Sequence, residues 1–164
     1  VFRELITGWV EHTGKRVLVA PEIEKEIAHN KRLLMDPLPE AIRREVVLRE
    51  DFWNCDEAAS VFARAALVVC HEPHSCIIGM ANDTPALHLY SPEHGPKYQM
   101  FSDLDAPEFL LPLDETPTAG ILDRMLGFDR DPEAARAIVR RAMEQAEVCW
   151  TAACARMREA MGIG

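Results

Sequence analysis

The sequence has 164 residues, 48% of them hydrophobic, which suits one domain with a substantial core. Its formal charge of −9 disfavours nucleic acid as a partner, because an acidic chain repels phosphate backbones. No apolar run approaches the roughly 18 residues needed for a membrane span, and no signal peptide is recognisable. Five cysteines without a repeated spacing fit reduced thiols, so we expect a cytoplasmic protein.

The first half of the chain alternates helical and extended patterns. Apolar residues recur at helical spacing over residues 2–10, and Gly14 is a suitable stop for that helix. A first strand is predicted in KRVLVAPE, then a helix over 22–35 that Pro37 ends, then a second strand in EVVLRE. Asp56 is the predicted N-cap of the next helix, in DEAASVFARAA.

The second half continues this alternation. Strands are predicted in LVVC, PALHLY and EFLLPL, with a short apolar helix opening at Ser75 and a loop in SPEHGPKYQ. Two helices close the chain, Thr118–Leu126 and about 131–161, the second with Pro132 in its first turn. Trp150 and the methionines of the last helix have the spacing of core or domain-contact residues.

Alternating helices and strands are typical of a parallel sheet covered by helices on both faces. We therefore predict an α/β fold: a single Rossmann-like domain over 1–164 with a doubly wound, mostly parallel sheet. Ligands of such sheets bind beyond the carboxyl ends of the strands. The segments in that position are 21–22, 51–53, 71–75 and 90–97.

The stretch VVCHEPHSC is then a strand-to-helix turn. It contains four potential metal ligands, namely Cys70, His71, His74 and Cys76. The two cysteines are expected to point into the core, which argues against a metal, a cofactor or an activated thiol nucleophile. Two alternatives remain: His74 and Ser75 bind an anion or substrate near the helix N-terminus, or the histidines merely cap the turn.

Other polar and aromatic residues are weighed by their position. His88 alternates within a predicted strand and is expected to be packed or on the solvent face. Trp53 follows a strand and is expected to be a packing residue. His94 and Lys97 lie in the loop after the fourth strand and are better functional candidates.

Five motifs occur in a fixed order along residues 1–114: GKRVLVAPE, DEAASVFARAALVVC, EPHS, NDTPALHLY and GPK. Their order resembles the C-terminal half of the polysaccharide pyruvyl transferase family, and the long last helix also fits. Members of that family look like two Rossmann-type domains facing each other, as in the GT-B glycosyltransferase fold. The resemblance implies that this chain is one half of such an architecture. It also implies an N-terminal partner domain, in line with the absence of Met at position 1.

The resemblance further implies a transferase of exopolysaccharide biosynthesis that acts on cell-surface sugars. Its donor would be anionic, phosphoenolpyruvate or a nucleotide sugar, and its acceptor a saccharide. His74 and Ser75 match the family's donor-binding turn, and Lys97 matches a lysine that follows the fourth strand. The residues expected to bind the donor are His71, Ser75, Tyr90, His94 and Lys97.

One position departs from the family pattern. Glu72 stands where the family has an arginine, and Pro73 where it has a leucine. A carboxylate there would repel an anionic donor, at a cost above ~1 kcal/mol in a partly buried cleft. Glu72 would instead accept sugar hydroxyls or act as a base, with His71 taking over as the cation, so His74 and Glu72 are the expected catalytic residues.

Two alternative functions stay open on the sequence. One is the donor domain of a GT-B glycosyltransferase that uses a nucleotide sugar. The other is a non-catalytic binding or scaffold domain, in which Glu72 marks the loss of an ancestral activity.

Overall fold

The computed structural model describes residues 1–163, without the side chain of His94. The helices in this range are α1 (Phe2–Thr13), α2 (Glu26–Asn30), α3 (Glu40–Arg43), α4 (Cys55–Phe62), α5 (Pro73–Met80), α6 (Gln99–Asp103), α7 (Thr118–Arg130) and α8 (Pro132–Met161). The strands are β1 (Val17–Val19), β2 (Val46–Leu48), β3 (Val68–Cys70), β4 (Ala86–Tyr90) and β5 (Leu110–Pro112). All five predicted strands are therefore confirmed.

The described strands form two small sheets. β1 pairs with β2, and β3, β4 and β5 pair in that order; every pairing is parallel. The fold is α/β with parallel strands, as predicted from the alternation of elements. The hydrogen-bonded ladders thus divide the strands between two sheets, where a single sheet was predicted.

Helices cover both faces of the three-stranded sheet. Along β4, Ala86 faces one apolar cluster, whereas Leu87 and Leu89 face another, and all three side chains are completely buried. The first cluster draws on α5, α6 and α8, and the second on α1 and α7. Burial on both faces explains why β4 reads as a nearly continuous apolar run.

Helix α1 connects the two sheets. Its Leu5 and Trp9 pack into the cluster that contains Leu87 and Leu89, while its Ile6 and Val10 pack against β1 and β2. The predicted apolar stripe of α1 is confirmed, and Gly14 ends the helix in the left-handed conformation (φ 65°) that favours glycine. A single amphipathic helix thereby fixes the position of both sheets.

The N-cap of α4 differs from the prediction. Asn54, not Asp56, caps the helix: its Oδ1 accepts the Glu57 N–H at 2.9 Å, and the Glu57 carboxylate accepts the Asn54 N–H at 3.1 Å. This is a capping box, which satisfies two otherwise unpaired backbone donors. Asp56 lies in the first turn instead. Trp53, just before the cap, is buried against Phe62 as expected of a packing residue.

Helix α5 begins at Pro73, two residues before the predicted start at Ser75. Proline suits the first helical position, because its fixed φ is helical and its missing N–H has no partner there. His74 and Ser75 therefore lie inside the first turn rather than before it. The predicted helix over 22–35 is also shorter, since α2 begins at Glu26. It ends at Asn30, and a π-helical turn, Lys31–Met35, follows it.

The long helix α8 is confirmed, with Pro132 in its first turn and the Asp131 carboxylate accepting the Ala134 N–H at 3.0 Å. Only its first half packs on the core, through Ala135, Val139 and Ala142. Trp150 is 66% exposed, which excludes the core, the first of its two predicted positions; the domain contact stays a prediction. Among the described residues, no helix combines the length and apolar character that crossing a bilayer requires.

Phe109→Ala should lower the free energy of unfolding by about 3–5 kcal/mol, because Phe109 is fully buried against the Phe128 ring and its removal leaves a cavity. Urea denaturation followed by circular dichroism would measure the loss. Phe52→Ala, at a side chain that is 51% exposed, is the matched control and should change stability far less. Equal midpoints for the two variants would contradict the assigned core.

Asn54→Ala should lower the free energy of unfolding by about 1 kcal/mol, because it removes the side-chain acceptor of the capping box. Asp56→Ala, the change at the position that the sequence favoured, should cost less. Chemical denaturation of both variants tests the assignment, and a larger loss for Asp56→Ala would reverse it.

Candidate functional site at the carboxyl ends of the strands

The segments that follow β3 and β4 line a small cavity of about 20 Å³ that is partly open to solvent. Four of its lining residues were predicted site residues: His71, Glu72, Tyr90 and Lys97. Because the carboxyl ends of parallel strands meet at one edge of a sheet, residues distant in sequence come together here. The cavity lies where ligands of α/β proteins bind.

The loop after β4 forms one wall of the cavity. The Tyr90 ring stacks on the Tyr98 ring at 4.2 Å, and the Ser91 hydroxyl donates to the Asp114 carboxylate at 2.8 Å. Gly95 separates two 3₁₀ turns with φ 86°, a backbone conformation that other residues rarely adopt. The predicted loop thus forms a wall that ring stacking and a partly buried hydrogen bond hold in place.

His71 joins the ends of β3 and β4. Its Nδ1 lies 2.6 Å from the Leu89 carbonyl oxygen, and since a carbonyl only accepts, Nδ1 carries the hydrogen. This bond holds the imidazole against the strand end and fixes which ring nitrogen is protonated in the neutral form.

Glu72 faces Lys97 and His74 at the cavity mouth. It is the N-cap residue of α5, but its carboxylate caps no backbone N–H. The carboxylate instead lies 3.5 Å from Lys97 Nζ and 3.8 Å from His74 Nδ1. Lys97, the residue expected to neutralise a donor phosphate, is therefore already paired with a carboxylate, and the mouth is balanced in charge rather than cationic.

Glu22, which follows β1, extends this group. Burial raises the pKa of its carboxyl; the Ser75 hydrogen bond opposes that shift, Glu72 and Glu26 add to it, and His74 opposes it weakly. Its Oε1 is buried and has no hydrogen-bond partner among the described atoms. Carboxylate oxygens of Glu22 and Glu72 and a ring nitrogen of His74 lie within 4.8 Å of one another, a spacing that could hold a cation.

Behind the cavity, Cys70 and Cys76 meet, with their sulfurs 3.1 Å apart. The Cys70 thiol also donates to the Glu72 carbonyl at 2.6 Å, and its pKa is raised by the Cys76 hydrogen bond and by burial. A protonated, buried thiol is a poor nucleophile, in agreement with the sequence argument. Cys76 is completely buried as expected, but the sequence did not predict that the two sulfurs touch.

His88 completes this inner group. It is 3% exposed, its ring stacks on Phe101 at 5.2 Å, and burial lowers its pKa. Of its two predicted positions, the packed one is confirmed. His88 also lines the cavity, a role that the sequence did not indicate.

The other predicted site residues lie outside the cavity. His74 is largely exposed and does not line the cavity, although it lies beside Glu72 at the mouth, and Ser75 contacts Glu22. The side chain of His94 falls outside the described residues. The segment after β2 lines a separate open groove beside Trp53. Two further residues line the cavity, Ser91 and Tyr98. Ser91 lies in the predicted segment 90–97 but was not singled out, although a polar Ser directly after an apolar strand was a signal. Tyr98, one residue beyond that segment, was missed.

Comparison with protein-family models, curated proteins and solved structures found no match. The site is therefore interpreted from the geometry of this chain. The resemblance to pyruvyl transferases stays a prediction.

Glu22→Gln should stabilise the protein at pH 7. The folded state raises the pKa of Glu22, so folding binds its proton more tightly, and the stability that this gives falls as pH rises through the folded pKa. The glutamine amide is uncharged at every pH, so the variant avoids the free-energy cost of ionising a partly buried carboxyl at pH 7. At a pH well below the ordinary glutamate value of about 4.3 the gain should vanish.

Thermal melts of both proteins between pH 3.5 and 8 would check this expectation. Glu24→Gln, an exposed neighbour, is the control and should follow the unchanged protein at every pH. A variant at Glu22 that is less stable at pH 7 would show that the charged carboxylate is stabilising instead.

Proposed function

We propose that this chain is the donor-binding half of a pyruvyl-transferase-like enzyme, which transfers a group from an anionic donor to sugars of a cell-surface or exopolysaccharide. The observation that carries the proposal is the convergence of His71, Tyr90 and Lys97 on one cavity at the strand ends. Tyr90 and Lys97 come from two separate motifs of the resemblance, and His71 lies between two others. All three meet where an α/β fold binds its ligand.

The finer architecture belongs to the same proposal. Glu22 follows β1 and contacts Ser75 after β3, so these two strand ends lie side by side. The two ladders would then belong to one doubly wound, Rossmann-like sheet of order β2-β1-β3-β4-β5. In that order the direction of winding reverses between β1 and β3. The crevice at this switch point would lie beside Glu22 and Glu72, next to the cavity formed after β3 and β4. A facing domain would complete a GT-B-like cleft.

In this proposal each residue has a separate task. Lys97 and His74 would face the negative groups of the donor, together with the backbone N–H groups at the start of α5. Glu72, held between Lys97 and His74, would accept the proton of an attacking sugar hydroxyl. In pyruvyl transfer, two hydroxyls would add to the enol carbon of phosphoenolpyruvate, its methylene carbon would gain a proton, and phosphate would leave.

Specific contacts favour each alternative. The stacked Tyr90 and Tyr98 rings offer an aromatic surface for a base, which favours a nucleotide sugar as donor. In contrast, Glu72 neutralises Lys97, the cation that an anionic donor would need. This contact favours a non-catalytic binding domain.

A thermal-shift and calorimetric titration with phosphoenolpyruvate and with nucleotide sugars separates these functions. The preferred donor should raise the melting temperature, and Lys97→Met should weaken its binding. Glu72→Gln frees Lys97 and should strengthen binding about fivefold, or ~1 kcal/mol, because a repulsive charge is removed.

Glu93→Gln, an exposed change in the same loop, is the matched control and should leave the affinity unchanged. No shift with either donor class would count against both enzyme functions. Binding that is indifferent to Lys97→Met would place the donor elsewhere.

A further inference from the structure

Three side chains with metal-binding atoms meet behind the cavity, whose wall includes one of them, His88. Cys70 ends β3, Cys76 lies on α5, and His88 is the register partner of Cys70 on β4. One potential ligand atom from each lies within 4.8 Å of the other two. They come from three different elements, so the parallel pairing and the packing of α5 build this group.

The distances fit a tetrahedral metal better than a disulfide. With metal–sulfur bonds of about 2.3 Å, two tetrahedral thiolate ligands stand ~3.8 Å apart. The sulfurs of Cys70 and Cys76 are 3.1 Å apart, so a shift of a few tenths of an ångström at each would admit the ion. A disulfide bond of about 2.05 Å would need them to approach by a larger distance.

We propose that Cys70, Cys76 and His88 bind a Zn²⁺ ion. Two thiolates and one imidazole form the donor set that zinc favours over the oxygen-seeking Mg²⁺ and Ca²⁺. Binding releases the two thiol protons, which leave with water, and ends the hydrogen bond from Cys70 to the Glu72 carbonyl. Three protein ligands leave the fourth position for water or a nearby carboxylate.

A second observation concerns the neighbouring carboxylate of Glu22. Glu22 interacts electrostatically with Cys70, and its buried Oε1 lacks a hydrogen-bond partner among the described atoms. A buried carboxylate oxygen without a donor is costly unless a positive charge is near. An ion held by the two sulfurs would supply that charge. The zinc proposal does not depend on the donor proposed above and stands if no donor binds.

The test is a titration of the fully reduced protein with Co²⁺, a spectroscopic substitute for Zn²⁺, followed by displacement with Zn²⁺. We expect a near-ultraviolet thiolate-to-Co²⁺ band that saturates at one ion per chain and disappears when Zn²⁺ is added. Elemental analysis of protein dialysed against Zn²⁺ should give the same stoichiometry.

Cys70→Ser, Cys76→Ser and His88→Gln should each lose stoichiometric binding. Cys149→Ser, at an exposed cysteine outside the group, should keep it. Circular dichroism checks that each variant is folded. Because Cys76 is fully buried and its variant is the one most prone to unfold, the spectrum of the unchanged protein carries the test by itself.

A reduced protein without the Co²⁺ band, or with a band that survives in folded Cys70→Ser, would overturn the proposal. So would a Cys70–Cys76 disulfide found by non-reducing peptide mapping in protein that takes up no metal when reduced, since it would assign the pair to redox chemistry.

Discussion

The burial of β4 between two layers of helices is the constraint on which the rest of the structure depends. Ala86, Leu87 and Leu89 are completely buried, so every neighbour of this strand must be apolar or fully paired. The strand's ionisable side chain at a buried position is His88. Its ring stacks on Phe101, and its Nδ1 approaches the Cys70 carbonyl oxygen. Polar groups that cannot be paired in this way are displaced to the carboxyl end of the sheet, where the cavity forms.

At the carboxyl end of the sheet, acidic and basic side chains lie next to one another, so the site does not present a patch of a single charge. Glu72 lies near Lys97 and His74, while Glu22 lies deeper, with less solvent around its carboxylate. An exposed pair such as Glu72 and Lys97 adds little to stability, about 0–1 kcal/mol. Its effect is on recognition, since a ligand that approaches the cavity must compete with Glu72 for Lys97 or use both charges together.

The sequence predicts those parts of the fold that local spacing controls. The stripe of α1, the apolar run of β4 and Pro132 at the start of α8 each depend on residues within a few positions of one another. The cap at Asn54 was missed, because Asn54 and Asp56 are both favourable N-cap residues and the choice depends on where α4 begins. For Trp150 the sequence left two positions open, the core or a domain contact, because helical spacing shows an apolar face but not what covers it.

The candidate site was only partly predictable for a related reason. The sequence places His71, Glu72, Tyr90 and Lys97 after strands, and the rule for parallel sheets then brings them together. The contact between Cys70 and Cys76 depends on the angle at which α5 leaves β3, and the position of His88 depends on the register of β4 against β3. Neither quantity is encoded in residue spacing, so the inner group of ligands emerges only from the three-dimensional arrangement.

Glu72 connects the cavity mouth with this inner group. Its carbonyl accepts a hydrogen bond from the Cys70 thiol, while its carboxylate faces Lys97 and His74. A metal ion that displaces the thiol proton would remove the first contact. The backbone of Glu72, the N-cap of α5, would then be held by fewer hydrogen bonds. The carboxylate could then shift relative to Lys97. Occupancy of the inner site would in this way alter the charge that a donor meets, through one residue that belongs to both.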